Sequence, residues 1–121
     1  EQARLARLSG PGKAFISGGE TTVIVTGTGK GGRNAEFAHT LALEGRFYAL
    51  AADTDGIDGS APVAGAIVTP DTKERAILAG LDGLAMLENN DSHSFFAALG
   101  DQIITGPTRT NVNDFRVILT D

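Results

Sequence analysis

The sixteen glycines of this 121-residue chain are unevenly placed, crowding into residues 10–19, 27–32 and 56–65. The stretches between these clusters carry the periodic apolar residues. Glycine clusters mark turns and loops, so the chain divides into short ordered elements. Residues 14–17 and 22–26 are β-branched and aromatic runs on either side of Gly18-Gly19-Glu20-Thr21, the pattern of two strands and a tight connection. From residue 33 to 44 the period changes: Phe37, Ala38, Leu41 and Ala42 fall at helical spacing, and Gly45 stands where a helix stop is expected. Residues 47–52 form a continuous apolar run, the pattern of a strand buried on both faces, and residues 64–68 repeat it. Asp71 is placed to cap a helix over 72–79, and Asp82 or Gly83 opens a shorter one ending near Glu88. Asn90 or Asp91 is placed to cap residues 92–99, with Gly100 as the stop. Strands are then expected at 102–105 and 115–120, separated by the polar loop 106–114. Strands alternating with helices imply an α/β fold: a layered domain with a mostly parallel or mixed sheet, flanking helices and an antiparallel hairpin at one edge.

A chain of this length has the size of one domain and can bury one core. It has no cysteine, which excludes disulfides, a thiolate nucleophile and thiolate-bound metals. Two histidines far apart do not make a histidine-built metal site. Ten Lys and Arg stand against fifteen Asp and Glu, a net charge of -5, with no basic stripe for a nucleic-acid backbone. No apolar run reaches the roughly 20 residues needed to span a bilayer, and a cytoplasmic location is expected. The chain opens at Glu1 in helical character through Leu8, so residues 1–12 are expected to continue from an upstream domain and residues 13–121 to form the folded unit.

Gly27-Thr28-Gly29-Lys30-Gly31-Gly32 satisfies G-x-G-x-x-G between an expected strand and an expected helix, with Asp53 and Asp55 about twenty residues on. Free N–H groups at a helix start attract anions, and Lys30 and Arg33 add full charges. The same glycines also suit a plain strand-to-helix turn. Asp53-Thr54-Asp55-Gly56-Ile57-Asp58-Gly59 leaves a strand at its carboxyl end, where open α/β sheets place ligands. Its spacing is not that of an EF-hand; magnesium held with phosphates, or a solvated turn, fits it, and Asp55 also suits a base. The loop 106–114 is rich in Thr and Asn, which either hold turns or contact a ligand. Asn89-Asn90-Asp91-Ser92 reads as helix capping, and His39 and His93 as structural or surface residues.

Five ordered motifs together carry a resemblance: Gly18-Gly19-Glu20-Thr21-Thr22; Gly32-Arg33-Asn34-x-Glu36-Phe37; Thr54-Asp55-Gly56-Ile57-Asp58-Gly59; Asn89-Asn90-Asp91-Ser92-x-Ser94-Phe95-Phe96; and Thr105-Gly106-Pro107-Thr108-x-Thr110-Asn111-Val112-Asn113-Asp114. From about residue 13 onward the chain resembles the MOFRL domain, the carboxyl-terminal domain of type II glycerate kinases. The resemblance implies a partner in the form of an amino-terminal Rossmann-like domain of the same polypeptide, with an active site in the cleft between the two. It also implies phosphoryl transfer from ATP to D-glycerate, with ATP and Mg2+ as cofactors; some such proteins carry the name hydroxypyruvate reductase. It implies Arg33 and Asp55 as catalytic residues, and Lys30, Gly31, Gly32, Asn34, Asn111 and Asn113 as substrate- or phosphate-binding residues. Asp55 and Asp58 follow as metal ligands. The chain departs from the family pattern at Arg109, where glycine is usual, at His93 for Tyr, at Asp53 for a small residue, and in lacking an acidic residue within 60–63. Two other functions fit the residues: an NAD(P)H-dependent hydroxypyruvate reductase using Gly27 to Gly32 and Asp53, and a non-catalytic anion-binding regulatory domain.

Overall fold

A computed structural model describes residues 14–19, 27, 29–59, 62–106, 108 and 114–119. The expected helix over 1–8, the expected strand over 22–26, and Arg109, Asn111 and Asn113 lie outside these residues. In chain order the described elements are β1 (Ala14–Gly19), α1 (Arg33–Glu44), β2 (Tyr48–Asp53), β3 (Gly65–Val68), α2 (Thr72–Leu78), α3 (Gly83–Glu88), α4 (Ser92–Leu99), β4 (Gln102–Ile103) and β5 (Asp114–Leu119). Both α1 and α4 have the limits that periodicity and glycine stops imply; Gly100 closes α4 in the left-handed conformation, φ 75°.

The α/β layering is as expected, but the strand pairing is not. The described strands form one sheet in the order β1-β5-β2-β3-β4, and every pair is antiparallel. The expectation of a mostly parallel or mixed sheet is therefore corrected among the described residues. Two facts account for it. β1 and β2 do run the same way, but β5 inserts between them and pairs antiparallel with each. β2 and β3 are joined by the acidic loop rather than by a crossover helix, so β3 returns antiparallel.

The helices lie on one face of the sheet, with α1 against β2 and β3. That contact is built from small residues, Ala35, Ala38 and Ala42 over Ala49, Ala51 and Ala66, all buried. Leu41, Phe95, Phe96, Val68 and Ile118 complete the core. His39 stacks on Phe95 at 4.0 Å between centroids, its Nδ1 2.9 Å from the Ser92 hydroxyl. Arg75 links α2 to the end of α4, bonding Asp101 at 2.8 Å and the Leu99 carbonyl at 2.9 Å.

On the other face the register aligns Ile16, Val117, Leu50 and Ile67 in one row across four strands. Leu119 pairs with Tyr48 on one side of that row, and Phe115 with Ala52 on the other. The expectation that residues 47–52 and 64–68 are buried on both faces is therefore corrected: the described helices cover only one face, and Tyr48 and Ile67 are exposed on the other.

Candidate functional site

β2 ends at Asp53 and β5 begins at Asp114, and the ladder sets these two residues directly opposite each other. Both are buried on the helix side of the sheet. Like charges facing across a strand pair repel, so the pair requires a cation. Arg33, the first residue of α1, supplies it: Nε donates to both Asp114 oxygens, at 2.7 and 3.0 Å, and Nη2 donates to Asp53 at 2.9 Å. A second cation approaches from within β5. Arg116, buried, lies 3.5 Å from Asp114, donates to the Gly18 carbonyl at 2.9 Å, and sits 5.4 Å above the Phe37 ring.

The amino terminus of α1 is closed by a residue distant in sequence. Gly32 provides no side-chain cap, and Asp58, fully buried, accepts from the backbone N–H groups of Asn34 and Ala35, each at 2.9 Å. Its carboxylate thus occupies the position that an anion would take at a helix start. The Asn34 side-chain amide donates to Asp58 at 3.2 Å and to Asp114 at 3.0 Å, joining the cap to the ion-pair cluster. His93 Nε2 lies 3.1 Å from the Asp58 carbonyl.

The glycine loop is enclosed by protein. Gly27 N–H donates to Asn90 Oδ1, Gly29 N–H to the Asn89 carbonyl and Lys30 N–H to Asp91 Oδ1, each at 2.9 Å; His93 N–H returns a bond to the Lys30 carbonyl. A Cβ at Gly27 would lie 2.3 Å from Asn89 backbone, and one at Gly29 2.3 Å from Asp91. The lack of a side chain at Gly27 and Gly29 lets the loop approach the turn before α4 closely. Asp91 stands at the N-cap of α4 as expected, but it makes no side-chain bond to a helix N–H: its Oδ1 accepts from the Ser94 hydroxyl at 2.7 Å and from Lys30 N–H, and Asn90 Oδ1 accepts from Gly27. Asp71 likewise makes no cap bond to α2, whereas Asp82 caps α3 through Ala85 N–H at 3.1 Å.

Of the residues expected to act, Arg33 and Asn34 are brought together with Asp53, Asp58 and Asp114. Lys30 is exposed at the edge of the clamped loop, next to Gly31 and Gly32. Asp55 lies in its own turn, accepting from Ile57 N–H at 2.9 Å, while Thr108 N–H reaches the Asp55 carbonyl at 3.5 Å. Asp58 serves as the helix cap of α1, both its oxygens accepting from helix N–H groups. Among the described residues no group of three His, Cys, Asp or Glu is arranged to hold a metal ion, so the described residues do not fit a protein-built magnesium site.

Asp53 has its pKa raised above the ordinary carboxylate value. Burial is the main cause; the Asp55 carboxyl and the Asp114 charge add to it, while the Asp55 backbone N–H opposes it. His39 is pushed the other way, from 6.5 to about 4, by burial against Phe95 and Phe96. A cavity of about 590 Å³ lined by Leu43, Ala76, Ile77, Leu81 and Leu84 includes no member of the charged cluster.

Sequence reasoning missed Arg116 and the roles of Asp53 and Asp114 as a facing pair. A charged residue at the end of each of two strands was the available signal, but it becomes informative only once β2 and β5 are known to be neighbours.

The model of the MOFRL family matches residues 13–114. This chain belongs to the MOFRL family. It is 51% identical over 111 residues to a putative hydroxypyruvate reductase of Agrobacterium vitis, covering 87% of this chain and 25% of that protein. It is 47% identical over 105 residues to the D-glycerate 2-kinase of Thermotoga maritima, covering 84% of this chain and 25% of the kinase. A crystal structure of glycerate kinase from Thermotoga maritima superposes with a TM-score of 0.84 at 43% identity, over 89% of this chain and 27% of that one. The MOFRL chain described here thus spans about a quarter of the length of the curated relatives it matches. No described helix is long and apolar enough to cross a membrane.

Proposed function

We propose that this MOFRL domain is the part of a glycerate 2-kinase that presents Arg33 to the substrates, in a reaction moving a phosphoryl group from ATP to D-glycerate. The observation that carries this reading is the seating of Arg33. Its side chain is 28% exposed, while Asp53 and Asp114 hold it from beneath at the ends of β2 and β5. The kinase names among its relatives supply the chemistry.

Phosphoryl transfer depends on positioning and on neutralising charge rather than on covalent help from the protein. A guanidinium fixed by two carboxylates gives a positive charge with little reorganisation at the moment of reaction. Asp58 and Asn34 fix the backbone from which Arg33 projects. Any magnesium enters with the nucleotide in this reading, and the rest of the active site belongs to the other domain of a longer polypeptide. The nicotinamide reading has less support: the N–H groups of Gly27, Gly29 and Lys30 are committed to residues 89–91, and those of Asn34 and Ala35 to Asp58.

The test is glycerate-dependent ADP formation from magnesium-ATP by the natural polypeptide containing this chain, run beside NADH oxidation with hydroxypyruvate. ADP formed only with glycerate, and a fall in kcat of about a thousandfold in a folded Arg33→Ala variant, are expected. NADH consumption without ADP would overturn the proposal, and a normal rate in Arg33→Ala would remove Arg33 from it.

A further inference from the structure

The sheet face opposite the helices has no described layer on it and no charged side chain at its aligned positions. Ile16, Tyr48, Ile67, Phe115 and Leu119 are each between 41% and 70% exposed there, and Leu50 and Val117 fill the middle row. An antiparallel sheet with a wet face alternates apolar with polar residues, whereas strands apolar on both faces belong to sheets covered on both. An apolar patch of this kind marks an interface.

We infer that this face is the docking surface for a helical layer contributed by the part of the natural polypeptide lying outside these 121 residues. Two observations select that occupant over a second copy of the chain. The first is size. Four strands about 4.8 Å apart and six residues of about 3.4 Å make a face of roughly 19 by 20 Å, burying on the order of 800 Å² in total with a partner. Separate chains associate stably through about 1,200 Å² or more, so a face this small suits a tethered partner held at high effective concentration. The second is length: relatives at 51% and 47% identity each extend about four times as far as the matched stretch, so tethered polypeptide is available. A helix is the element that packs its apolar stripe on a sheet while turning a polar face to water. The Phe115 and Ala52 end of the face borders Asp114 and Asp53, so the same docking would fix the charged cluster relative to the other domain. The inference rests on the sheet and on the length of the relatives, and it stands whether or not the site acts on glycerate.

The chain has no cysteine, so Ile67→Cys and Leu119→Cys each place one thiol on the face, with any cysteines elsewhere in the natural polypeptide replaced by serine. In the folded full-length protein both thiols are expected to react with a polar maleimide at least tenfold more slowly than in urea. Replacing Tyr48 by p-benzoylphenylalanine and irradiating is expected to give a monomer-mass product cross-linked to a peptide outside the 121 residues. Labelling at the unfolded rate would overturn the inference. So would a cross-link to a peptide within these residues, a product of dimer mass, or a natural polypeptide with nothing beyond this chain. Neither measurement reads activity, so its failure is distinguishable from failure of the kinase reading.

Discussion

The two faces of the sheet each hold side chains where their opposites are usual. The face beneath α1 buries Asp53, Asp114 and Arg116, while the face with no described layer carries Ile16, Tyr48, Ile67, Phe115 and Leu119. On the first face, charge is tolerated because each carboxylate has a partner: Arg33 for Asp53, Arg33 and Arg116 for Asp114, and two helix N–H groups for Asp58. On the second, apolar area is tolerated only if something covers it. Buried charge with partners marks where a structure builds a site, and exposed oil without partners marks where it expects a neighbour.

The charged face depends most on Asp114, the carboxylate that both arginines share. Asp114→Ala would remove the two bonds that Arg33 Nε donates, at 2.7 and 3.0 Å, and the 3.5 Å contact with Arg116. Removing one partner from a buried ion pair costs on the order of 3–5 kcal/mol. Urea unfolding of Asp114→Ala should show a loss of that size, and a loss below about 1 kcal/mol would mean that water already solvates the cluster.

A somewhat smaller effect should come from pH, through a histidine that belongs to neither face. His39 is buried and neutral, with its pKa lowered from 6.5 to about 4. The unfolded chain binds the proton first, so His39 favours the fold above pH 6.5 and that contribution is lost as pH falls from 6.5 toward 4. The loss is on the order of 3 kcal/mol. Urea midpoints measured between pH 7 and 4 should fall accordingly in the wild-type chain and show a flatter profile in His39→Gln. An unchanged profile in the variant would assign the acid sensitivity to other groups.

What the sequence made legible divides along the same line as the two faces. Local features came through: α1 and α4 have the limits that their apolar period and their glycine stops imply, and Arg33 stands out as a cation at a helix start. Features set by distant partners did not. Asp114 bonds Arg33 across 81 positions and Asp58 caps α1 from 24 positions away. Asn90 and Asp91 have the composition of a helix cap and lie beside a helix, yet their oxygens serve the glycine loop more than 60 positions earlier. A polar side chain near a helix start bonds whichever N–H groups the fold brings to it, and the insertion of β5 between β1 and β2 decides which those are.

Asp53 contributes least to stability, and the sign of its contribution separates its role from that of Asp114. Burial and the nearby Asp55 and Asp114 carboxyls raise its pKa, so the charged form is less favoured in the folded protein than in the unfolded chain. The fold therefore bears a penalty from this group at neutral pH, and that penalty disappears as pH falls through the folded pKa toward the unfolded one. Asp53→Asn removes the charge and keeps an oxygen for Arg33 Nη2. Its stability at pH 7 should stay within about 1 kcal/mol of wild type and lie on the gaining side, because replacing a buried ion is often neutral or stabilising. The gain should shrink as pH is lowered and wild-type Asp53 takes up its proton. If Asp53→Asn instead loses 2 kcal/mol or more at pH 7, Arg33 draws its position from Asp53 as much as from Asp114. The guanidinium would then be held between two equal partners, and the kcat proposed for glycerate-dependent ADP formation should fall with the Asp53 substitution as well as with the Arg33 one.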